Sequence, residues 1–488
     1  MKTLPIFIGG EWKLGRGAIY TSIYPADQSV NADVAGADLN DVEEAIQAAD
    51  AAWRRDNWRG LKPHERAAVL YRIAAGIRAR HEELAQLQRR DNGKPINETR
   101  VLVTSAANTF QYFAACLETL EDALTPSRGD YLTMSTHEPI GVVVAITPWN
   151  SPIASEAQKL APALAAGNAV VLKPAEMTPL LALELAKICE AAGVPKGVLS
   201  VLPGKGSVIG DALVNHPLVK KVSFTGGTNV GRGIARLAAE KLMPVSLELG
   251  GKSPTMVFAD ADLDHAVNGV LYGIFSSSGE ACIAGSRLFV ERPIYQEFMQ
   301  RLVAGAEKLR VGNPESESTQ MGPLISAAHR QSIERYVDIG QSEGGKLLTG
   351  GKRPQGAEFD RGFFYSPTII EGLTNQSQMC QEEIFGPVLA AMPFDDEATL
   401  LTEANDSVFG LAAGIWTQDY KRAWRVGRAV DAGTVWINTY KLFSITTPFT
   451  GRKESGMGRE KGHRGILEYS QQKSMYWGLN EAPMAWAN

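Results

Sequence analysis

"VKKVSFTGGTNVGRGIA", residues 219–235, decides the class of fold. Seven residues rich in Val, Phe and Thr read as a strand, a double glycine breaks it, and apolar positions at helical spacing follow. A strand running through a glycine turn into a helix is the repeating unit of a parallel sheet. Glycines there let backbone N–H groups approach a phosphate, and the helix N-terminus adds partial positive charge. The spacing is not G-x-G-x-x-G, so the turn reads equally well as a plain tight turn. "PGKGSVIG" (203–210) carries the same two readings.

The same rhythm extends both ways. "IGVVVAIT" (140–147), "NAVVLK" (168–173) and "MPVSLEL" (243–249) are short β-branched runs separated by helical stretches. A second cycle follows with "SPTMVF" (253–258), "SRLFV" (286–290), "GPVLAAMPF" (386–394), "GLAAGIWT" (410–417) and "GTVWIN" (433–438). Two α/β domains in tandem, each a parallel sheet covered on both faces, is the economical reading. Upstream the pattern is helical in 41–53 and again from Pro63 to about Arg90, with Pro63 in the first turn and Gly93 as the stop. "DYLTMSTHEPIG" (130–141) and "YSQQKSMYWGL" (469–479) alternate but are too isolated to be sheets alone. They are expected to pair between subunits as a projecting ribbon, with Met484 and Trp486 of the tail packed on the neighbour.

Composition excludes several classes. At 488 residues the chain exceeds one core, and 44% hydrophobic with 21% charged residues is ordinary for a globular protein. A net charge of -5 makes nucleic acid and anionic membrane poor partners, and no apolar run approaches a membrane span. The N-terminus lacks the apolar core of a signal peptide. The four cysteines (Cys116, Cys189, Cys282 and Cys380) show no C-x-x-C spacing, and the seven histidines show no metal-ligand pairing. No disulfide or metal is expected, and a reducing cytoplasm is.

Chemistry is concentrated in a few stretches. "GEACIAGSRLFV" (279–290) sets Cys282 among small residues that clear an approach to sulfur, although a small hydrophobe at a corner would look similar. "LELGGKSP" (247–254) buries Glu248 in an apolar strand, where burial would raise its pKa toward that of a general base. "TPWNSP" (147–152) ends a core strand, where ligands of open sheets gather, and Asn150 offers an amide donor for an oxyanion. In "VVLKPAEMTP" (170–179), Lys173 and Glu176 could meet the adenosine ribose hydroxyls, or be an exposed helix start. "CQEEIFGPV" (380–388) places Glu383 and Phe385 where they could hold a ribose and flank a flat ring.

Taken together and in this order, these stretches resemble the aldehyde dehydrogenase superfamily, from "FIGGEW" (7–12) to "REKG" (459–462). The resemblance implies a Rossmann-like NAD-binding domain (1–120 and 140–250), a catalytic domain (251–455), and an oligomerisation ribbon with a tail (121–139 and 468–488). It implies Cys282 as nucleophile, Glu248 as general base, Asn150 in the oxyanion hole and Glu460 as a second carboxylate. It implies cofactor contacts from Ile146, Trp149, Lys173, Glu176, Gly206, Phe224, Thr225, Gly226, Gly227, Gly231, Leu249, Gly250, Glu383 and Phe385. The aldehyde tunnel falls on Ser151, Gln158, Lys441, Phe443 and Phe449.

The implied reaction is thiolate attack on an aldehyde, hydride loss, and hydrolysis of the resulting thioester. NAD is expected over NADP, since Glu176 repels a 2′-phosphate while Lys173 partly compensates. A homodimer or homotetramer is expected. Small Ser151 and polar Gln158 imply a wide tunnel, Phe443 and Phe449 an aromatic body, and Lys441 a carboxylate tail, so the substrate expected is a bulky, aromatic or semialdehyde-type aldehyde. Three departures stand out: Glu280 where Gln is frequent, Gly227 where Ser is frequent, and Thr450 inside the usual Pro-Phe-Gly-Gly. Competing readings are a CoA-acylating relative, a cysteine hydrolase using Cys282 with His463, and a non-catalytic binding protein.

Overall fold

The structure, a computed structural model, describes residues 3–481. Every β-branched run singled out above forms a strand, and they sort into two sheets. The first has eight strands, in the order Glu11–Lys13, Ile6–Ile8, Leu199–Val201, Ala169–Lys173, Val142–Ile146, Val219–Thr225, Val245–Glu248 and Gly456–Met457. Its central five are parallel, and the outer three run antiparallel. The second has seven, from Lys346–Thr349 through Thr368–Glu371, Val388–Phe394, Arg287–Glu291, Pro254–Val257 and Ala412–Trp416 to Thr434–Ile437. Only Lys346–Thr349 is antiparallel there. Strands buried on both faces read as unbroken apolar runs, which is why these were legible.

The order of the first sheet positions the site. From Val142–Ile146 the chain winds outward one way to residues 169–173 and 199–201, then returns to build 219–225 and 245–248 on the other flank. The switch therefore lies between Val142–Ile146 and Val219–Thr225, and the crevice beyond their carboxyl ends is where such sheets bind ligands. The segments opening there are "TPWN" and "TGGT".

Two expectations change. The periodicity over 63–90 is two helices, Pro63–Ala79 and His81–Asn92, because Arg80 leaves helical geometry between them. Gly93 does stop the second, at φ +76. The two alternating segments do not pair between subunits. Ser470–Gly478 lies antiparallel to Tyr131–Pro139 of the same chain over nine residue pairs, with Ala123–Thr125 on the far side. The returning chain is pinned at the ribbon base, where buried Tyr469 receives an Asn168 amide bond on its carbonyl and donates its hydroxyl to Ser223. That leaves the segment beside 131–139. Met484 and Trp486 lie outside the described residues. Among the described residues no helix is long and apolar enough to cross a membrane, and no group of His, Cys, Asp or Glu could hold a metal.

Candidate active site

A cavity of about 710 Å³ opens at the switch point. Its walls bring together Ile146, Trp149, Asn150, Lys173, Gly206, Phe224, Thr225, Gly226, Gly227, Glu248, Leu249, Gly250, Cys282, Glu383 and Phe385, residues drawn from both sheets. Two of the expected cofactor residues are not in the wall. Glu176 is solvent-exposed beyond the strand that ends at Lys173. Gly231 is buried in helix Thr228–Glu240, where a Cβ would meet Leu249 Cδ2 at 2.4 Å. Its part is close packing: without it Leu249 would be driven toward the cavity.

Two helices, Gly206–Asn215 and Thr228–Glu240, begin at this wall without a side-chain cap. Their first N–H groups are thus left for a ligand, and a phosphate suits them. Gly227 has nothing within 4 Å of its Cβ position, so the turn leaves room for one. Lys173 is buried, its Nζ donating to the Pro174 carbonyl, and burial brings its pKa down to about 8. At the other end Glu383 accepts from the Gly251 N–H at 3.0 Å, and burial raises its carboxyl to about 7. Phe385, at φ +57, stands edge-on to Trp149 at 5.2 Å. A strained conformation held this way is common at ligand sites. The donor set fits a dinucleotide: backbone N–H groups for phosphates, an ammonium at one ribose and a carboxylate at the other.

Cys282 sits where the second sheet meets this cavity. The loop before it carries Ser277 and Ser278 in the left-handed region, at φ 58 and φ 55. Glu98 fixes that loop, accepting from the Ser277 N–H at 2.9 Å and from its hydroxyl. Behind Cys282, Tyr440 donates to the Ile283 carbonyl at 3.0 Å. Asn150 donates its side-chain amide to the Glu280 carbonyl at 3.0 Å, which orients it beside the cysteine turn. Burial pushes the Cys282 thiol up to about 12, with Glu383 and Glu248 adding to the rise and Lys461 and Lys441 opposing it.

Glu248 ends its strand opposite Gly456 and is buried, its Oε2 without a partner among the described residues. Burial first, then repulsion from Glu460, holds its carboxyl well above the ordinary range, while Lys159 and Lys461 pull it down. Glu460 is itself buried, held by a Lys159 ion pair at 2.5 Å and by Gln158. Lys159 also donates to Ser223 at 3.1 Å. A lysine between two apolar helix turns carried no signal in the sequence, and its partner lies 301 positions away.

Of the five expected tunnel residues, Phe449, Phe443 and Lys441 are brought to the cysteine, and Ser151 and Gln158 lie on the helix that follows Asn150. Ser151 begins helix Pro152–Ala165, Gln158 lies one turn and a half along it, and Phe449 is buried in the cluster that includes Cys282. Phe443 packs on Phe449 and Trp436 at 5.6 and 5.5 Å. Lys461, beside Glu460, places its ammonium 3.9 Å from the Phe443 ring centre and 5.3 Å from that of Phe449. Glu280 is buried, accepts from the Ile325 N–H at 2.8 Å, and is raised to about 8 by burial against the pull of Lys94. Thr450 donates to the Gly458 carbonyl at 2.7 Å, so its side chain ties the loop instead of opening it. His463 is exposed, at the start of a short 3-10 turn, which leaves the hydrolase reading without its base.

Residues 12–475 match the family model described as Aldehyde dehydrogenase family. The chain belongs to the aldehyde dehydrogenase family. Among its relatives, the betaine aldehyde dehydrogenase of Bacillus subtilis (strain 168) is 41% identical over 485 residues, 99% of each chain. That of Mesorhizobium japonicum is 44% identical over 462 residues, 94% of each. A crystal structure of betaine aldehyde dehydrogenase from Staphylococcus aureus in complex with NAD+ superposes with a TM-score of 0.98 at 36% identity, covering 99% of this chain and 97% of that one. As an aldehyde dehydrogenase, the chain has its expected fold and its expected class of activity.

Proposed function

We propose that this dehydrogenase oxidises a compact aldehyde with a charged tail to the acid, using NAD and water, through a covalent Cys282 intermediate. The observation that carries the reading is the convergence of Cys282, Glu248 and Asn150 on one cavity with a dinucleotide-shaped donor set. NAD, when bound, supplies the hydride acceptor. Cys282 gives its proton to solvent water in the cavity and, as the thiolate, attacks the carbonyl carbon, and the oxyanion formed is received by the Asn150 amide and the Cys282 N–H. After hydride loss leaves a thioester, Glu248 takes a proton from water, and the hydroxide formed releases the acid. Lys159 and Glu460 set the field in which Glu248 ionises. Exposed Glu176 near Lys173 favours NAD over a 2′-phosphorylated cofactor.

The substrate is narrowed by the relatives, which are named for betaine aldehyde and so put a small charged aldehyde first. The expected bulky aromatic body is withdrawn on the relatives' names, and the Lys461 ammonium beside the rings of Phe443 and Phe449 puts a charge where a stacking wall was expected. We also propose that the ribbon's outer strand, with Met475, Tyr476 and Trp477 exposed, joins copies of the chain into a dimer or a dimer of dimers.

Absorbance at 340 nm with NAD and an aldehyde, with and without CoA, tests the reaction. NADH should form without CoA, and Cys282→Ala should abolish it. A strict requirement for CoA, or more than about a tenth of wild-type kcat in the variant, refutes the reading.

A further inference from the structure

Lys461 and Lys441 both act on the charge of Cys282, and among the described residues neither forms an ion pair. Among the described residues Lys461 makes no hydrogen bond or ion pair, and its ammonium rests on the rings of Phe443 and Phe449. Its neighbour Glu460 is occupied by Lys159 and Gln158. Lys441 donates to the Ser276 hydroxyl at 2.8 Å and lies 5.9 Å from the Tyr272 ring centre. Glu98, the carboxylate facing Lys441, is engaged by the Ser277 N–H and hydroxyl, and Lys94 adds another cation on that side.

Both lysines stand on left-handed backbone, at φ 55 for Lys441 and φ 59 for Lys461. A long side chain at such a position costs stability, and the cost persists where a site fixes the direction of the side chain. Their fields converge on Cys282, which both draw toward its ionised form. An ammonium over two ring faces also fills the place that a quaternary ammonium would seek, because both cations compete for the same negative faces. A cationic tail would be repelled there, whereas an anionic tail would gain charge-assisted hydrogen bonds.

Resting on the aldehyde-oxidising reading above, we propose that Lys461, from its place on the rings of Phe443 and Phe449, selects a carboxylate tail, with Lys441 adding positive charge from the Ser276 side. The substrate class is then an aldehyde with a carboxylate at its far end, in contrast to the cationic aldehyde for which the relatives are named. The reacting carbonyl lies at Cys282 and the tail reaches Lys461, so specificity is set through the tail, while the pull of the lysines on the Cys282 thiol is common to every aldehyde.

The test compares three aldehydes of similar length with the full-length enzyme and NAD: 4-oxobutanoate, butanal and betaine aldehyde. Wild-type kcat/KM should be highest for 4-oxobutanoate. In Lys461→Met the ratio of 4-oxobutanoate to butanal should fall about 10- to 100-fold, the range for one lost hydrogen bond to a charged group, carried mainly by KM. Lys461→Glu should turn the preference toward betaine aldehyde, Lys461→Arg should keep that of the wild type, and Lys441→Gln should lower the ratio independently. A wild-type preference for betaine aldehyde overturns the proposal, as does a ratio unmoved in Lys461→Met or lost equally in Lys461→Arg. If none of the three reduces NAD, the failure lies with the dehydrogenase reading instead.

Discussion

Lys159→Met isolates the ion pair beside Glu248, the base of the proposed reaction. Lys159 is fully buried and Glu460 nearly so, and the pair stands at 2.5 Å with Ser223 and Gln158 completing its hydrogen bonds. Removing one partner leaves a buried charge uncompensated, which costs about 3–5 kcal/mol. Unfolding entropy of about 2.1 cal/mol/K per residue gives about 1 kcal/mol/K for a chain of this length, so apparent Tm should drop by about 3–5 °C. The double variant Lys159→Met with Glu460→Gln removes the stranded charge and should recover most of that loss. A kinetic sign accompanies it. Lys159 is one of two cations that lower the Glu248 carboxyl, so its loss raises Glu248 further. The base works ionised, and the acid limb of the kcat profile should therefore move to higher pH. Differential scanning fluorimetry and a pH–rate series read the two effects. A drop below about 1 °C, or a double variant whose loss equals the sum of the singles, would refute the account.

Glu248→Gln should still give a pre-steady-state burst of NADH approaching one per active site and then stall, with steady-state kcat down about 10²- to 10⁴-fold. Loss of the burst together with the steady state would place Glu248 before hydride loss. Light scattering at micromolar concentration should give the mass of a dimer or tetramer, and a charged substitution such as Trp477→Glu on the exposed ribbon strand should lower it. A monomeric wild type would remove the ribbon edge as an interface.

Local signals were enough for much of this protein. Strands such as 142–146 and 412–416 are apolar on both faces because helices cover both sides of a parallel sheet, and that burial writes itself into consecutive residues. Cys282, Glu248 and Asn150 each admitted a plain structural reading alone, and it was the resemblance of the whole ordered set that singled them out; the fold brings all three to one cavity. Tertiary structure alone decided the rest. The Lys159–Glu460 pair joins residues 301 positions apart, and a pairing at that range leaves no period in either segment. The ribbon's partner strand was undecidable because alternation says that a strand has a face, not which edge it will meet. Lys461 drew no reading from the sequence, and the fold lays it across Phe443 and Phe449. A charge acquires its meaning from the low-dielectric neighbours that folding brings to it, and sequence spacing does not carry that information.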